Sequence, residues 1–335
     1  MNNQDAHELR HSGESGKLTV RELSPADAPE MRRLFTKIFQ KDMPQELWDW
    51  KYARPHCAAL GVWRGDELVA HYGGMGTDIT YDGAPARAVQ ICDVMVDTTV
   101  RQAVRTQSPF FLSTSAFLER YIGYDNPFLL GFGFPSDRHM ALAARLKLYA
   151  PVGRMWELGW NFDSAQRVPW LLGVTVLDAA NVARYRKQLD ALGAQQAQDL
   201  SGRIVARKDA DFVTWRYLQH PLERYTVLFV KHRITGKPIG LLVLKVEDER
   251  VLWMDAIAPL AHLPALAQVA RAATWLLERR KLALWCSEPD VARFGEVMTS
   301  TALPITTPAN IWTPGPAPED LKDRWWLLAG DTDWL

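Results

Sequence analysis

Two short stretches, Trp50-Lys51-Tyr52-Ala53-Arg54-Pro55 and Trp215-Arg216-Tyr217-Leu218-Gln219-His220-Pro221, each stand directly before the pattern of a β-hairpin. The first hairpin pattern covers residues 58–63, turns at Arg64-Gly65-Asp66 and returns over 67–77; the second covers 227–230, turns at Thr235-Gly236-Lys237 and returns over 239–246. Strand, helix and strand follow in both halves, at 91–97, 109–121 and 128–132 in the first and at 251–258, 263–280 and 282–286 in the second. Chance easily supplies a Trp-basic-Tyr match. It does not readily supply the same order of elements as well, so the chain reads as one α+β unit duplicated. With 335 residues there is room for two cores. The polar stretch around Asp163, Ser164 and Pro169 sets the expected division: a polar tail at 1–16, a first domain at 17–162, a linker at 163–171 and a second domain at 172–335.

The first half carries the chemical hint. Residues 17–23 alternate as a strand, and Ser24-Pro25-Ala26-Asp27 is a helix start with an acidic partner three residues after its cap. The helix it opens puts Met31, Leu34, Phe35, Ile38 and Phe39 on one face, the spacing of a helix lying on a sheet. The strand at 91–97 is followed by a basic turn with Arg101 and Arg105, and then by a helix start at Ser108-Pro109. Backbone N–H groups at a helix start and two guanidinium groups aimed at one place suit a phosphorylated cofactor. A strand with Trp156, Leu158 and Trp160 on one side is expected to close the first domain.

Composition excludes several classes of partner. Thirty-nine basic residues balance 39 acidic ones, so no overall field attracts nucleic acid or anionic lipid, and any phosphate site must be local. Cys57, Cys92 and Cys286 lie far apart in apolar surroundings and read as reduced core residues, without the C-x-x-C spacing of a metal site. The first sixteen residues lack the apolar core of a signal peptide, and no apolar run is long enough to span a bilayer. A cytoplasmic protein, monomeric or homodimeric, is expected.

On these residues the chain resembles the Gcn5-related N-acetyltransferases (GNAT), and more closely the bacterial proteins that carry two such domains in tandem. The resemblance covers residues 17–160 well and 172 onward more weakly. It implies two GNAT-like domains, each a mixed, mostly antiparallel, splayed sheet flanked by helices. It also implies acetyl-CoA or another acyl-CoA as co-substrate, lying where the fourth and fifth strands part, with a small-molecule amine as acceptor. The strand at 91–97 would be the fourth strand, with Val94, Met95 and Val96 along the thioester and backbone N–H groups polarising its carbonyl. Arg101, Arg105 and Ser108 would line the phosphate turn, and 128–132 would be the fifth strand.

The sequence also departs from the family pattern. Arg101 fills the first position of the phosphate turn, but Val104 and Thr106 stand where the family has small residues, which implies a longer path through 105–108. Pro259-Leu260-Ala261-His262 has no arginine, so the second domain is expected to bind no acyl-CoA. Alignment puts Ala143 where the family's usual acid, a tyrosine, stands; Tyr149, His139, Tyr121 and Tyr124 are the substitutes near it in sequence.

An amine must lose a proton before it attacks a thioester, so a carboxylate or histidine near the splayed strands is the chemistry to look for. Asp93, set inside an apolar strand, His71 on the third strand, and Tyr149 are the candidate catalytic residues. The functions that follow are an acyl-CoA-dependent N-acyltransferase or, as alternatives, a non-catalytic scaffold or a Fem-like aminoacyltransferase. The neutral charge and the lack of a basic stripe speak against the last.

Overall fold

A computed structural model describes residues 17–100 and 107–334. The first half contributes β1 (Leu18–Glu22), α1 (Ala28–Phe39), α2 (Gln45–Tyr52), β2 (Cys57–Arg64), β3 (Glu67–Tyr81), β4 (Ala84–Val96), α3 (Pro109–Tyr121), β5 (Leu130–Phe132), α4 (Asp137–Arg145) and β6 (Tyr149–Asn161). The second contributes β7 (Leu172–Leu177), α5 (Arg186–Asp199), β8 (Ile204–Ala206), the single turn α6 (Ala210–Val213), β9 (Tyr225–His232), β10 (Pro238–Val246), β11 (Val251–Ile257), α7 (Leu263–Leu276) and β12 (Lys281–Ser287). It ends with β13 (Thr299–Asn310), the single turn α8 (Pro318–Leu321) and β14 (Trp325–Trp326). The architecture is mixed α and β, two seven-stranded sheets each flanked by helices.

The cap at Ser24 forms as its residue types require: the Asp27 carboxylate accepts from the Ser24 N–H at 2.8 Å and its hydroxyl at 2.9 Å. Met31 and Leu34 of α1, with Trp48 of α2, bury against Trp63, Leu68 and Met95 on one face of the first sheet. Each such aliphatic side chain contributes roughly 1.5–3 kcal/mol of burial. Phe111, Phe117 and Leu118 of α3, with Met140 of α4, cover Leu60, Tyr72 and Val89 on the other face. The second sheet is sandwiched alike, with α7 on one face and α5 with α6 on the other.

The two sheets do not follow the expected boundary at 163–171. β6, expected to close the first domain, pairs instead between β12 and β13 of the second sheet. In return β8 pairs with the end of β3, and β14 pairs with β8, so both join the first sheet. The exchange has a physical reason: β5 offers an edge only three residues long, whereas β12 offers β6 seven residues from Lys281 to Ser287.

Candidate active site

β4 and β5 run parallel and pair only from Ala88↔Leu130 to Gln90↔Phe132. Beyond Gln90 the strands part, and among the described residues 91–96 have no strand on that side. A bulge follows three residues on. His71 pairs with Met95 and Gly73 with Cys92, so Asp93 and Val94 together oppose Tyr72, and Asp93 is driven to φ +47°. A non-glycine residue there is unusual, and what holds it is a set of side-chain bonds. The Lys51 ammonium donates to both Asp93 oxygens at 2.8 and 2.9 Å, and the Tyr52 hydroxyl donates to Asp93 at 2.6 Å. His71 Nδ1 lies 2.6 Å from the Asp93 carbonyl, to which it donates, leaving Nε2 buried without a partner.

A second carboxylate reaches this cluster from the far end of the chain. Asp333 accepts from Lys51 at 2.8 Å and from the Gln90 side-chain amide at 3.3 Å. Lys51, Asp93 and Asp333 side chains are only 4–6 % exposed, so one buried ammonium serves two carboxylates. Burial pushes the Asp93 carboxyl up, but the Lys51 charge and the bonds from Lys51 and Tyr52 outweigh it and hold it below the usual carboxylate range. For Asp333 burial wins, with Asp93 adding to it, and the carboxyl sits above that range. Burial lowers His71. Cys92 Sγ and oxygens of Asp93 and Asp333 lie within 4.8 Å of one another, a set that would suit a cation, and the Lys51 ammonium already bridges the two carboxylates.

Gln90 and Phe132, the last paired residues of the parting strands, line a cleft of about 320 Å³. Its other wall comes from the second half, with Phe212, Trp215 and Arg216. Trp215 and Arg216 stand in a π-helical turn, 214–218, where α6 continues one residue wider per turn.

The structure thus brings Asp93 and His71 together and places Tyr149 elsewhere. Tyr149 lies on the α3 face, its hydroxyl hydrogen-bonded to that of Tyr72, both buried and both raised by burial. Val94 stands half exposed at the parted edge, Met95 is buried under α1, and Val96 packs with Val62 and Val69. Ser108 caps α3, its Oγ accepting from the Phe111 N–H. Arg101 and Arg105 lie outside the described residues, as do the 1–16 tail and Leu335. Of the other candidate acids, His139 bonds Ser136, Tyr121 donates to Glu22, and Tyr124 is exposed.

Sequence reasoning missed Lys51, Tyr52, Gln90 and Asp333. The available signal was a lysine inside an otherwise aromatic stretch, recurring as arginine in the second copy, beside an acid-rich end with Asp331 and Asp333.

Residues 19–106 match the family model described as acetyltransferase (GNAT) domain. Among solved structures, a GCN5-related N-acetyltransferase from Kribbella flavida superposes with a TM-score of 0.64 at 15 % identity, covering 88 % of this chain and 71 % of that one. A probable N-acyltransferase from Enterococcus faecalis gives 0.66 at 12 % identity, covering 88 % and 72 %. A GCN5-related N-acetyltransferase from Anabaena variabilis gives 0.63 at 12 % identity, covering 89 % and 73 %. No curated protein sequence matches the chain. The fold is that of the GNAT superfamily, and residues 19–106 carry the family's sequence pattern.

Proposed function

We propose that the protein is an acyl-CoA-dependent N-acyltransferase whose first domain holds the thioester where β4 parts from β5, and whose acceptor amine enters through the cleft between the two halves. The observation that carries this reading is the coincidence at Gln90 and Phe132. The strands part there, both residues line the cleft, and the β4 bulge follows three residues on, at Asp93 and Val94. The α3 face supplies the cofactor side, since α3 starts at Ser108-Pro109 close after the strand. The opposite face supplies the acceptor side.

In this reading the thioester carbonyl lies along the free edge of β4, where backbone N–H groups near Val94 and Val96 polarise it. The amine nitrogen attacks the carbonyl carbon, the carbon–sulfur bond breaks, and the departing thiolate takes a proton. In this reading Tyr149, whose hydroxyl bonds that of Tyr72 on the α3 face, supplies that proton. Asp93 is fully engaged by Lys51 and Tyr52 and acts as a positioning residue for both. Its strained backbone sets the bulge.

The test is release of free thiol from acetyl-CoA and longer acyl-CoAs in the presence of a panel of primary amines. Turnover with at least one pair is expected, with Tyr149→Phe lowering kcat and leaving acyl-CoA binding intact. Absence of turnover together with absence of binding at millimolar acyl-CoA would leave the non-catalytic scaffold as the better reading.

A further inference from the structure

The duplicated unit has a second parting of strands, and the chain itself fills it. β11 and β12 pair in parallel only from Val251↔Leu282 to Trp253↔Leu284, as β4 and β5 do over three pairs. In the second sheet the gap beyond is occupied by residues 327–331. On the β12 side, Ser287 N–H donates to the Leu327 carbonyl at 3.0 Å, the Leu327 N–H donates to Ser287 Oγ at 3.0 Å, and Cys286 bridges Leu328. On the β11 side, Gly330 packs so closely that a Cβ there would meet the Tyr217 hydroxyl and lie 2.9 Å from the Met254 carbonyl. Leu328 enters the core under α7 and Ala329 the core under α5, so the inserted segment alternates between faces as a strand of the sheet does.

The segment delivers one carboxylate to each half. Asp331 accepts from Lys208, which also pairs with Asp255 at 2.9 Å, and the Tyr217 hydroxyl donates to Asp255 at 2.7 Å. This repeats the Lys51, Asp93, Asp333 and Tyr52 cluster, but its lysine and both acids are at most 3 % exposed. Arg216 fixes the segment between the two acids, donating to the carbonyls of Gly330 at 3.1 Å and Thr332 at 2.9 Å. Two residues past Asp331 the chain comes out at the first parting. Asp333 meets Gln90 on β4, and the Trp334 ring stands edge-on to Phe134, two residues beyond the end of β5, at 5.6 Å. Asp333 therefore lies at the fork where the thioester and the amine would meet.

Building on the acyltransferase reading, we propose that the second domain is a dock for the chain's own C-terminal segment, and that the segment presents Asp333 as the catalytic carboxylate that binds the acceptor ammonium and takes its proton. The docked segment leaves the second parting no room for an acyl-CoA. At the first, one ammonium, Lys51, is shared by two carboxylates. An incoming alkylammonium supplies the second positive charge. The first proton passes from the ammonium to Asp333, the free amine attacks the thioester carbon, and the second proton leaves the amide nitrogen as the thiolate departs, so one proton returns to solvent per turnover. The charged and titratable groups that face Asp333 are Lys51 from α2 and Cys92 and Asp93 from β4, with Arg216 beyond Thr332 and His71 behind Asp93.

Asp333→Asn and Asp333→Glu in the full chain test this, with acetyl-CoA binding, melting temperature and kcat/KM against pH as readouts. Asp333→Asn is expected to keep wild-type acetyl-CoA affinity, to lose about 100-fold or more in kcat/KM at pH 7, and to recover as pH rises toward the pKa of the amine. Asp333→Glu is expected to keep a tenth or more of the activity and the wild-type acid limb. Asp333→Asn within threefold of wild type, with an unchanged pH profile, overturns the proposal and leaves the acyltransferase reading standing. If Asp333→Asn lowers the melting temperature, Asp333→Glu decides: behaviour identical to the Asn variant assigns a structural role and overturns the proposal. A wild type that binds no acyl-CoA removes the acyltransferase reading itself, and the catalytic role of Asp333 with it.

Discussion

Trp50 and Trp215 stack on each other with ring centroids 4.7 Å apart and planes 16° from parallel, and each donates its indole N–H to the other's backbone carbonyl, at 3.0 and 3.4 Å. Reciprocal bonds of this kind mark a local two-fold relation between the two copies of the duplicated unit. The next residues, Lys51 and Arg216, turn to the C-terminal segment, and Tyr52 and Tyr217 donate to Asp93 and Asp255. The stacked pair thus registers both carboxylate clusters against one strand of chain.

Replacing either tryptophan by alanine is expected to cost roughly 3 kcal/mol of unfolding free energy, the low end for loss of a large packed aromatic, because Trp215 is half-buried. The double variant is expected to cost little more than the worse single one, since either truncation removes the shared stack. Urea unfolding measures both. Strict additivity would mean that the two rings do not support each other.

Lys208→Met leaves Asp255 and Asp331 facing each other in a sealed site, and should cost roughly 3–5 kcal/mol, as removal of one partner of a buried pair does. Its effect on acetyl-CoA affinity is expected to be small in the fraction that folds. A loss under about 1 kcal/mol in urea unfolding would show that the second cluster is not buried in solution.

Gly330→Ala drives a methyl group into the Tyr217 hydroxyl and the Met254 carbonyl, one of them a rigid backbone atom. The expected outcome is expulsion of residues 327–334 with both sheets otherwise intact. Limited proteolysis should then remove the C-terminal segment from the variant and not from wild type. Equal resistance would contradict the close packing found here.

His71 and His220 are kept neutral by burial, with His220 lowered to about 3 and the nearby Arg216 charge adding to the effect. Their folded pKa values lie below the unfolded value of about 6.5, so their stabilising contribution is complete above that pH and is lost as pH falls below it, for His220 down to about 3. For His220, only 7 % exposed, a loss of about 1–2 kcal/mol between pH 7 and pH 5 is expected. His220→Asn, which keeps an acceptor for the N–H groups of Leu222 and Glu223, should flatten that slope. An unchanged slope would place the acid sensitivity elsewhere.

Much of the fold was legible because its local signals agree with its packing. The cap at Ser24 and Asp27, the hairpin turns and the 109–121 helix appear where residue types put them, and the order of elements pointed to a duplicated unit. The exchange of β6 and β8 between sheets was not legible, because an alternating strand such as β6 shows which face is apolar and not which neighbour supplies the ladder. The bulge at Asp93 was half legible: a carboxylate in an apolar strand signals a partner, but its partners Lys51 and Tyr52 lie 42 and 41 residues back along the chain. Asp333 was the hardest to read: the tryptophans around residues 325–334 suggest a docked segment, but nothing in the sequence says that the fold threads Asp331 and Asp333 onto two lysines.

Titration of acetyl-CoA into the full chain by calorimetry tests the central claim most directly. The account predicts one binding site per chain, retained in Lys208→Met and abolished by Gly133→Trp, since Gly133 directly follows β5 and a Cβ there would lie 3.5 Å from Ile91 of β4, across the first parting. Two sites per chain would show that the C-terminal segment does not fill the second parting, and no binding at millimolar acetyl-CoA would contradict the assignment of the first as an acyl-CoA site.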